Sequence, residues 1–167
     1  MKSKAKYAAF MGIALALTAV LSFADSALSA AFPVPGIRLG LANIAIIAVM
    51  LRYGAASGLV MTVLRSGFVF LTRGMTAAIM SASGGLLSFA AAAVLMLYMK
   101  RSCKFSCITA ALCHTLGQLA AACILTGSFY TFAYAAVLMP VSVGTGFLTG
   151  TVLNALQGFL NDRKVVK

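Results

Sequence analysis

The chain has 167 residues, of which 62% are hydrophobic and 9% are charged. Soluble domains carry about 45–50% apolar and about 25% charged residues, so this composition excludes an ordinary soluble fold. A formal net charge of +11 would suggest nucleic-acid binding in a soluble protein. Here the Lys and Arg residues form short clusters between long apolar runs, as topology signals do. We therefore expect a protein of the lipid bilayer with no nucleic-acid partner.

Six apolar segments are long enough, or nearly long enough, to cross a bilayer. Backbone groups in lipid must be paired, and these runs do not alternate as barrel strands do, which favours helices. We predict an all-α integral membrane protein, a bundle of six transmembrane helices in a single domain over residues 1–167. The predicted spans are Tyr7–Leu28, Ile37–Leu51, Ala56–Leu71, Met75–Met99, Ser106–Thr126 and Tyr134–Leu160. Gly54 marks a predicted turn between the second and third spans.

The first span follows a positively charged start that contains Lys2, Lys4 and Lys6. This start, together with the small residues from Ala27 to Ala31, is also typical of a cleaved signal peptide. The apolar run from Tyr7 to Ala24 is long for a signal core, which favours a retained span, and both interpretations stay open.

Small residues recur every four positions in the first span, at Ala8, Gly12 and Ala16. Such a stripe allows another helix to approach closely. A second stripe in the last span, from Gly146 to Gly158, is best explained by packing inside the bundle. The first-span stripe begins at the end predicted to be cytoplasmic, so it is our candidate surface for docking a partner.

The second predicted span has only 15 residues, about 22 Å of helix. A short or tilted crossing and a re-entrant segment are both compatible with that length. A re-entrant segment would put Arg52 outside and would reverse every later loop.

Orientation follows from the positions of the basic residues. If the N-terminus is cytoplasmic and all six segments cross, ten of the 13 Lys and Arg residues lie inside, as the positive-inside rule requires. Both termini are then cytoplasmic, and we expect a multi-pass protein of the bacterial cytoplasmic membrane. The ten residues are Lys2, Lys4, Lys6, Arg52, Lys100, Arg101, Lys104, Arg163, Lys164 and Lys167.

Three arginines, Arg38, Arg65 and Arg73, remain on the outer side. Arg65 lies within the third span, where a charge costs about 2.5–3.5 kcal/mol, so it should face the bundle interior or a wet cavity. The planar guanidinium fork suits phosphate and carboxylate. We predict that the three arginines form a positive pocket for an anionic ligand, although snorkelling to the interface and pairing with Asp25 is the alternative. Asp25 itself would be an ion-pair partner or a ligand contact.

Three further polar side chains lie within the spans and are candidate ligand-binding residues. His114 and Gln118 are four residues apart on one face of the fifth span, and Asn43 lies in the second. Polar residues at such depths either join helices by hydrogen bonds or line a site. The sequence leaves both roles open.

No constellation of an enzyme is visible. The chain has no Walker-type phosphate loop, no Asp-rich motif to hold magnesium on a diphosphate, and no Ser or Cys nucleophile beside a recognisable base. Its four cysteines are accompanied by one His and two acidic residues, which does not predict a metal site. We expect no cofactor and no enzymatic activity, which leaves transport or binding.

Several motifs resemble those of a known family. The run Phe32-Pro-Val-Pro-Gly-Ile-Arg-Leu-Gly-Leu-Ala-Asn-Ile44 is similar to the signature of the Gx transporter family, which is also labelled heptaprenyl diphosphate synthase component I. The resemblance extends over nearly the whole chain and argues against cleavage of the first span. It continues in Leu21-Ser-Phe-Ala-Asp-Ser26, where the family more often has Glu than Asp, and in Leu64-Arg-Ser, Ser83-Gly-Gly-Leu-Leu-Ser88 and His114-Thr-Leu-Gly-Gln118.

The resemblance implies a function in substrate capture. The family is similar to the substrate-binding S components of energy-coupling factor (ECF) transporters, six-helix proteins that capture vitamins from outside. Those proteins dock through small residues of the first helix onto a transmembrane subunit driven by two ATPases. Some relatives look like flavin carriers, and an arginine-rich pocket beside Phe68, Phe70 and Tyr130 would suit a flavin nucleotide.

Two other hypotheses remain. The family's second label implies an accessory membrane subunit, component I, that binds a prenyl diphosphate. Such a ligand would need a lateral opening into the bilayer, whereas a flavin would need a closed aromatic pocket. The third hypothesis is a structural or assembly subunit without a ligand.

Overall fold

The structure, a computed structural model, describes the backbone of residues 2–30 and 40–160 and the side chains of residues 4–27 and 40–156. Every regular element in these ranges is helical, which confirms the predicted all-α class. Five helices are long and apolar enough to cross a membrane, whereas six crossings and cytoplasmic termini stay predictions. The helices are α1 (Lys2–Ala30), α2 (Asn43–Tyr53), α3 (Ala55–Arg73), α4 (Met75–Ala93), α5 (Cys103–Thr126) and α6 (Ala135–Leu160).

The second helix is shorter than predicted and begins later. Gly40 has a φ of 74°, a left-handed conformation that favours glycine, and the turn that follows delays the helix until Asn43. The predicted start at Ile37 is therefore wrong for residues 40–42, and residues 37–39 lie outside the described ranges. The 11 residues of α2 extend over about 16 Å, roughly half of a hydrocarbon core.

The short helix α2 lies inside the bundle rather than against lipid. Val49 and Met50 have no exposed surface, and Ala45, Ile46 and Ile47 are almost as deeply buried. A helix that is apolar on all sides is expected to be buried. It therefore serves as an internal floor against which α1, α3 and α6 pack.

Single glycines connect α2 to α3 and α3 to α4. Gly54 and Gly74 have φ values of 94° and 84° with ψ near 180°, a region that is essentially restricted to glycine. The turn predicted at Gly54 is confirmed. Connections this short make α2, α3 and α4 consecutive antiparallel neighbours.

The most extensive packing joins α5 to α4 and α6, where small residues let backbones touch. A Cβ on Gly117 would lie 2.9 Å from the Cα of Gly84, and one on Gly146 would lie 2.6 Å from the Cα of Ile108. Close approach through small residues is the usual way in which membrane helices associate. Gly146 and Gly150 of the last-span stripe are thus internal packing, as expected, whereas Asn154 is exposed.

The first helix packs on α2 and α3 through one face and leaves the rest exposed. Its buried face contains Ala14, Thr18, Ser22 and Asp25, which recur every three or four residues. The stripe of Ala8, Gly12 and Ala16 is exposed, and a Cβ on Gly12 would meet no atom within 4 Å. The stripe is therefore free of internal packing in the described part of the chain.

Candidate ligand-binding site

Arg65 points into the bundle from the buried face of α3. That face also carries Gly58, Thr62 and Val69, so the spacing of the helix directs the guanidinium inward. Only 2% of Arg65 is exposed, and its Nη1 donates a hydrogen bond of 2.7 Å to Oδ1 of Asn43. The inward orientation expected from the cost of a charge in lipid is what the structure shows.

Asn43 links three helices at the start of α2. Its carboxamide oxygen accepts from Arg65 on α3, and its Nδ2 donates to Oγ of Ser88 on α4 over 3.3 Å. The turn at Gly40 positions it, because the Asn43 backbone N–H donates to the Gly40 carbonyl at 2.9 Å. An amide suits this position because it both donates and accepts.

A second polar pair faces the same interior from α5. Nε2 of His114 lies 3.1 Å from Nε2 of Gln118, and both residues are buried. A neutral imidazole and a carboxamide can each donate one hydrogen bond and accept another, so the two side chains are complementary. The predicted juxtaposition of these two residues is present.

Two glycines make room for the α5 pair. A Cβ on Gly84 of α4 would lie 2.7 Å from Cγ of Gln118 and 2.8 Å from the carbonyl oxygen of His114. A Cβ on Gly40 would lie 3.3 Å from Nδ2 of Asn43 and 3.8 Å from Cδ2 of His114. Gly40 therefore lies between the two groups of polar side chains and brings them together. We call this set the polar cluster: Asn43, Arg65, Ser88, His114 and Gln118.

Of the other predicted ligand-binding residues, Arg73 lies away from the polar cluster. Arg73 is eight residues after Arg65, about 12 Å further along α3. Its Nη2 donates to the carbonyl of Ser22 at 2.7 Å, and its guanidinium lies 5.7 Å from the centre of the Phe23 ring. Arg73 thus fastens the end of α3 to α1. Arg38 lies outside the described residues.

The aromatic residues expected beside the arginines do not surround the polar cluster. Phe68 packs edge-on against Phe23, with ring centres 5.9 Å apart. Phe70 is 48% exposed and Tyr130 is 88% exposed. The expectation of an aromatic pocket built from these residues is therefore wrong for Phe70 and Tyr130, whose rings lie on the surface.

Comparison with known families identifies the chain. A family model described as heptaprenyl diphosphate synthase component I matches residues 13–156, a range that contains the whole polar cluster. The chain belongs to this family. It is the family that the sequence motifs indicated under its other label, the Gx transporter family. No curated protein and no solved structure matches the chain.

In this member of the component I family, the polar cluster adjoins a small cavity. The cavity encloses about 10 Å³ and is lined partly by Asn43, Ser88, Cys107 and Thr149. A cavity of that size holds about one water molecule. Within this cavity, a ligand larger than water would require the lining side chains to move apart.

Ser81 is a candidate site residue of this family member that the sequence interpretation missed. It has no exposed surface, and its Oγ has no hydrogen-bond partner among the described residues. Ser81 lies one turn before Gly84 and Gly85 on the same face of α4. A Cβ on Gly85 would lie 3.1 Å from Cγ2 of Thr62, which itself lies one turn before Arg65. Since α3 and α4 are antiparallel, Ser81 lies toward the Arg65 end of their interface.

A signal for Ser81 was present in the spacing of the fourth span. Ser81, Gly84, Gly85 and Ser88 fall at positions i, i+3, i+4 and i+7, which is one face of a helix.

Proposed function

We propose that this protein is the substrate-binding membrane subunit of an ECF-type transporter and captures an anionic small molecule from the outer face of the cytoplasmic membrane. The observation that carries the proposal is Arg65, a guanidinium buried inside an apolar bundle and hydrogen-bonded to Asn43, whose amide also bonds Ser88. Ionisable residues inside membrane proteins are costly and mark ligand or ion sites.

The chemistry of the polar cluster supports an anionic ligand. Arg65 carries a permanent positive charge, and the other members are amides, a hydroxyl and an imidazole. A guanidinium has five N–H donors in a fixed fork that matches carboxylate or phosphate. Ser81, Ser88 and Gln118 would add neutral hydrogen bonds that set specificity. A vitamin with a carboxylate or a phosphate, such as a flavin nucleotide, fits this donor set.

The exposed stripe on α1 supports the proposed docking of a transmembrane partner subunit. Ala8, Gly12 and Ala16 leave a shallow surface without large side chains. A transmembrane helix of an ECF subunit coupled to ATPases can approach such a surface closely. In this proposal the protein binds and releases its ligand unchanged and needs no cofactor of its own.

The family description favours a second candidate function. Heptaprenyl diphosphate synthase component I suggests an accessory membrane subunit that binds a prenyl diphosphate. A diphosphate would also bind an arginine, so the two candidates differ in the rest of the ligand. An isoprenoid chain needs contact with the bilayer, whereas a vitamin is enclosed between helices.

Native mass spectrometry of the purified full chain tests both candidates. Released small molecules are identified, and binding is then titrated with riboflavin, flavin mononucleotide and farnesyl diphosphate. Loss of one partner of a buried, hydrogen-bonded charge contact costs about 2–5 kcal/mol, so Arg65→Gln should weaken binding at least ~30-fold. Arg101→Gln is the matched control, because Arg101 is exposed and outside the polar cluster.

The outcomes separate the candidates. A vitamin that binds the wild type and Arg101→Gln, but not Arg65→Gln, supports the transporter subunit. Selective binding of farnesyl diphosphate with the same loss supports the accessory subunit instead. If Arg65→Gln and Arg65→Lys fold and bind every probe as the wild type does, the polar cluster is a structural link between helices and the proposed site is wrong.

A further inference from the structure

An apolar groove runs along the side of the bundle between α1 and α6, with α2 as its floor. It has a volume of about 180 Å³, and its surface is entirely apolar over the described residues. The groove is separate from the polar cluster, since it lies against the α1-facing side of α2. Its walls include Phe10, Ile13 and Leu17 of α1 and Leu156 of α6, and its floor includes Ala45 and Ala48.

The groove exists because two long helices pack on a short one that carries small side chains. Both α1 and α6 contact α2, and their packing against each other is slight. The small side chains of Ala45 and Ala48 leave space above α2. Along one wall, Ile13 is 70% exposed and Leu17 is 47% exposed. An unfilled groove forfeits dispersion contacts along its lining. The hydrocarbon environment therefore favours an apolar chain in this space.

One end of the groove is positively charged. The guanidinium of Arg52 lies 5.4 Å from the centre of the Phe10 ring, which lines that end. Lys6 is exposed and lies four residues before Phe10, so it is a neighbour on the same face of α1. Tyr53 packs against Phe10 with ring centres 5.1 Å apart. Aromatic and basic residues grouped in this way are typical of a membrane–water interface.

We propose that the groove binds one acyl chain of an anionic phospholipid, whose phosphate is held by Lys6 and Arg52. A basic, interfacial end joined to an apolar groove is complementary to an anionic head joined to an apolar tail. The volume of the groove only slightly exceeds that of a dry cavity of about 150 Å³ that holds benzene. It therefore takes a short stretch of one chain, which suits a phospholipid whose other chain stays in the bilayer.

This lipid site is independent of the proposed function. The candidate docking stripe lies on another face of α1, since Gly12 and Leu17 are five residues apart, roughly 140° around the helix. The ligand proposed at Arg65 is on the opposite side of α2. A failure of either proposal leaves the other in place.

The test measures how many lipids the full chain retains by native mass spectrometry after release from detergent. Phosphatidylglycerol is compared with phosphatidylcholine that has the same acyl chains. The wild type should retain one phosphatidylglycerol in preference to phosphatidylcholine. Arg52→Gln and Lys6→Gln should each weaken that binding roughly fivefold, which corresponds to about 1 kcal/mol for a basic residue near an anionic lipid surface. Arg101→Gln should leave it unchanged.

A filled groove gives a second, independent measurement. Ala48→Phe should reduce the retention of both lipids while binding at Arg65 is preserved. Equal retention of the two lipids by the wild type, or an equal decrease in Arg101→Gln, would overturn the proposal. So would a clear preference for a polyprenyl diphosphate that Lys6→Gln and Arg52→Gln abolish, because the occupant would then be an isoprenoid.

Discussion

Replacing Gly84 by alanine should disturb both the α4–α5 interface and the polar cluster. The added Cβ would lie 2.7 Å from Cγ of Gln118 and 2.8 Å from the carbonyl oxygen of His114. The first contact can relax by side-chain rotation, but the second involves backbone and requires a helix to shift. Overpacking of this kind costs about 1–3 kcal/mol. Removing a glycine from a helix returns about 0.5–1 kcal/mol, so the net loss should be up to about 2.5 kcal/mol.

Two other glycines provide matched controls for this measurement. A Cβ on Gly12 would meet nothing within 4 Å, whereas one on Gly85 would lie 3.1 Å from a methyl group of Thr62. Gly12→Ala should therefore leave stability unchanged or raise it slightly, and Gly85→Ala should fall between the other two variants. Gly84→Ala should also weaken ligand binding, because His114 and Gln118 would be displaced.

Thermal unfolding in detergent, followed by circular dichroism at 222 nm, measures these differences. For a chain of this size, a loss of 1–2 kcal/mol lowers the midpoint by about 2–8 °C. If Gly84→Ala unfolds at the same temperature as Gly12→Ala, then α4 and α5 are further apart than described. The packing of the polar cluster against α4 would then be wrong as well.

Three further predictions concern the site and the topology. Ser81→Ala should leave the unfolding temperature unchanged, because the Ser81 Oγ has no hydrogen-bond partner among the described residues. It should weaken ligand binding about fivefold through the loss of one hydrogen bond to the ligand. A lower unfolding temperature with unchanged affinity would give Ser81 a structural role instead. Arg73→Gln should retain full ligand affinity in a titration and lose about 1 kcal/mol of stability with its bond to Ser22, whereas a loss of affinity would return Arg73 to the site. Lys100 and Lys104 should react with an impermeant amine reagent only in inside-out vesicles, and labelling from outside would reverse the proposed orientation.

The apolar runs and the single-residue turns made most of the fold predictable. Hydropathy identified the helices, and Gly54 identified a turn because few other residues tolerate its conformation. The start of α2 was missed because it depends on the left-handed turn at Gly40, and hydropathy is insensitive to one backbone angle. Residues 40–42 lie in an apolar segment, so a sliding average of hydropathy does not separate them from the helix that follows.

The site was only partly predictable, since depth and rotation about each helix decide which side chains meet. The cost of a charge in lipid predicted that Arg65 faces inward, and the four-residue spacing predicted that His114 and Gln118 are neighbours. Arg73 lies eight residues after Arg65, more than two turns further along the helix. A count of the charges on the outer side does not include that separation. Ser81 was missed because hydroxyl residues in membrane helices usually bond to the preceding turn, as Thr62 does to the Gly58 carbonyl at 2.9 Å.

The bond between Arg65 and Asn43 has a consequence for the order in which the chain enters the membrane. A nascent α3 reaches the membrane before α4 and α5 do, and an arginine at the centre of an isolated helix is costly to insert. Asn43 precedes Arg65 in the sequence, and one glycine joins their helices. The α2–α3 hairpin can therefore leave the translocon as a unit whose arginine already has a hydrogen-bond acceptor, while Ser88 and the α5 pair arrive later.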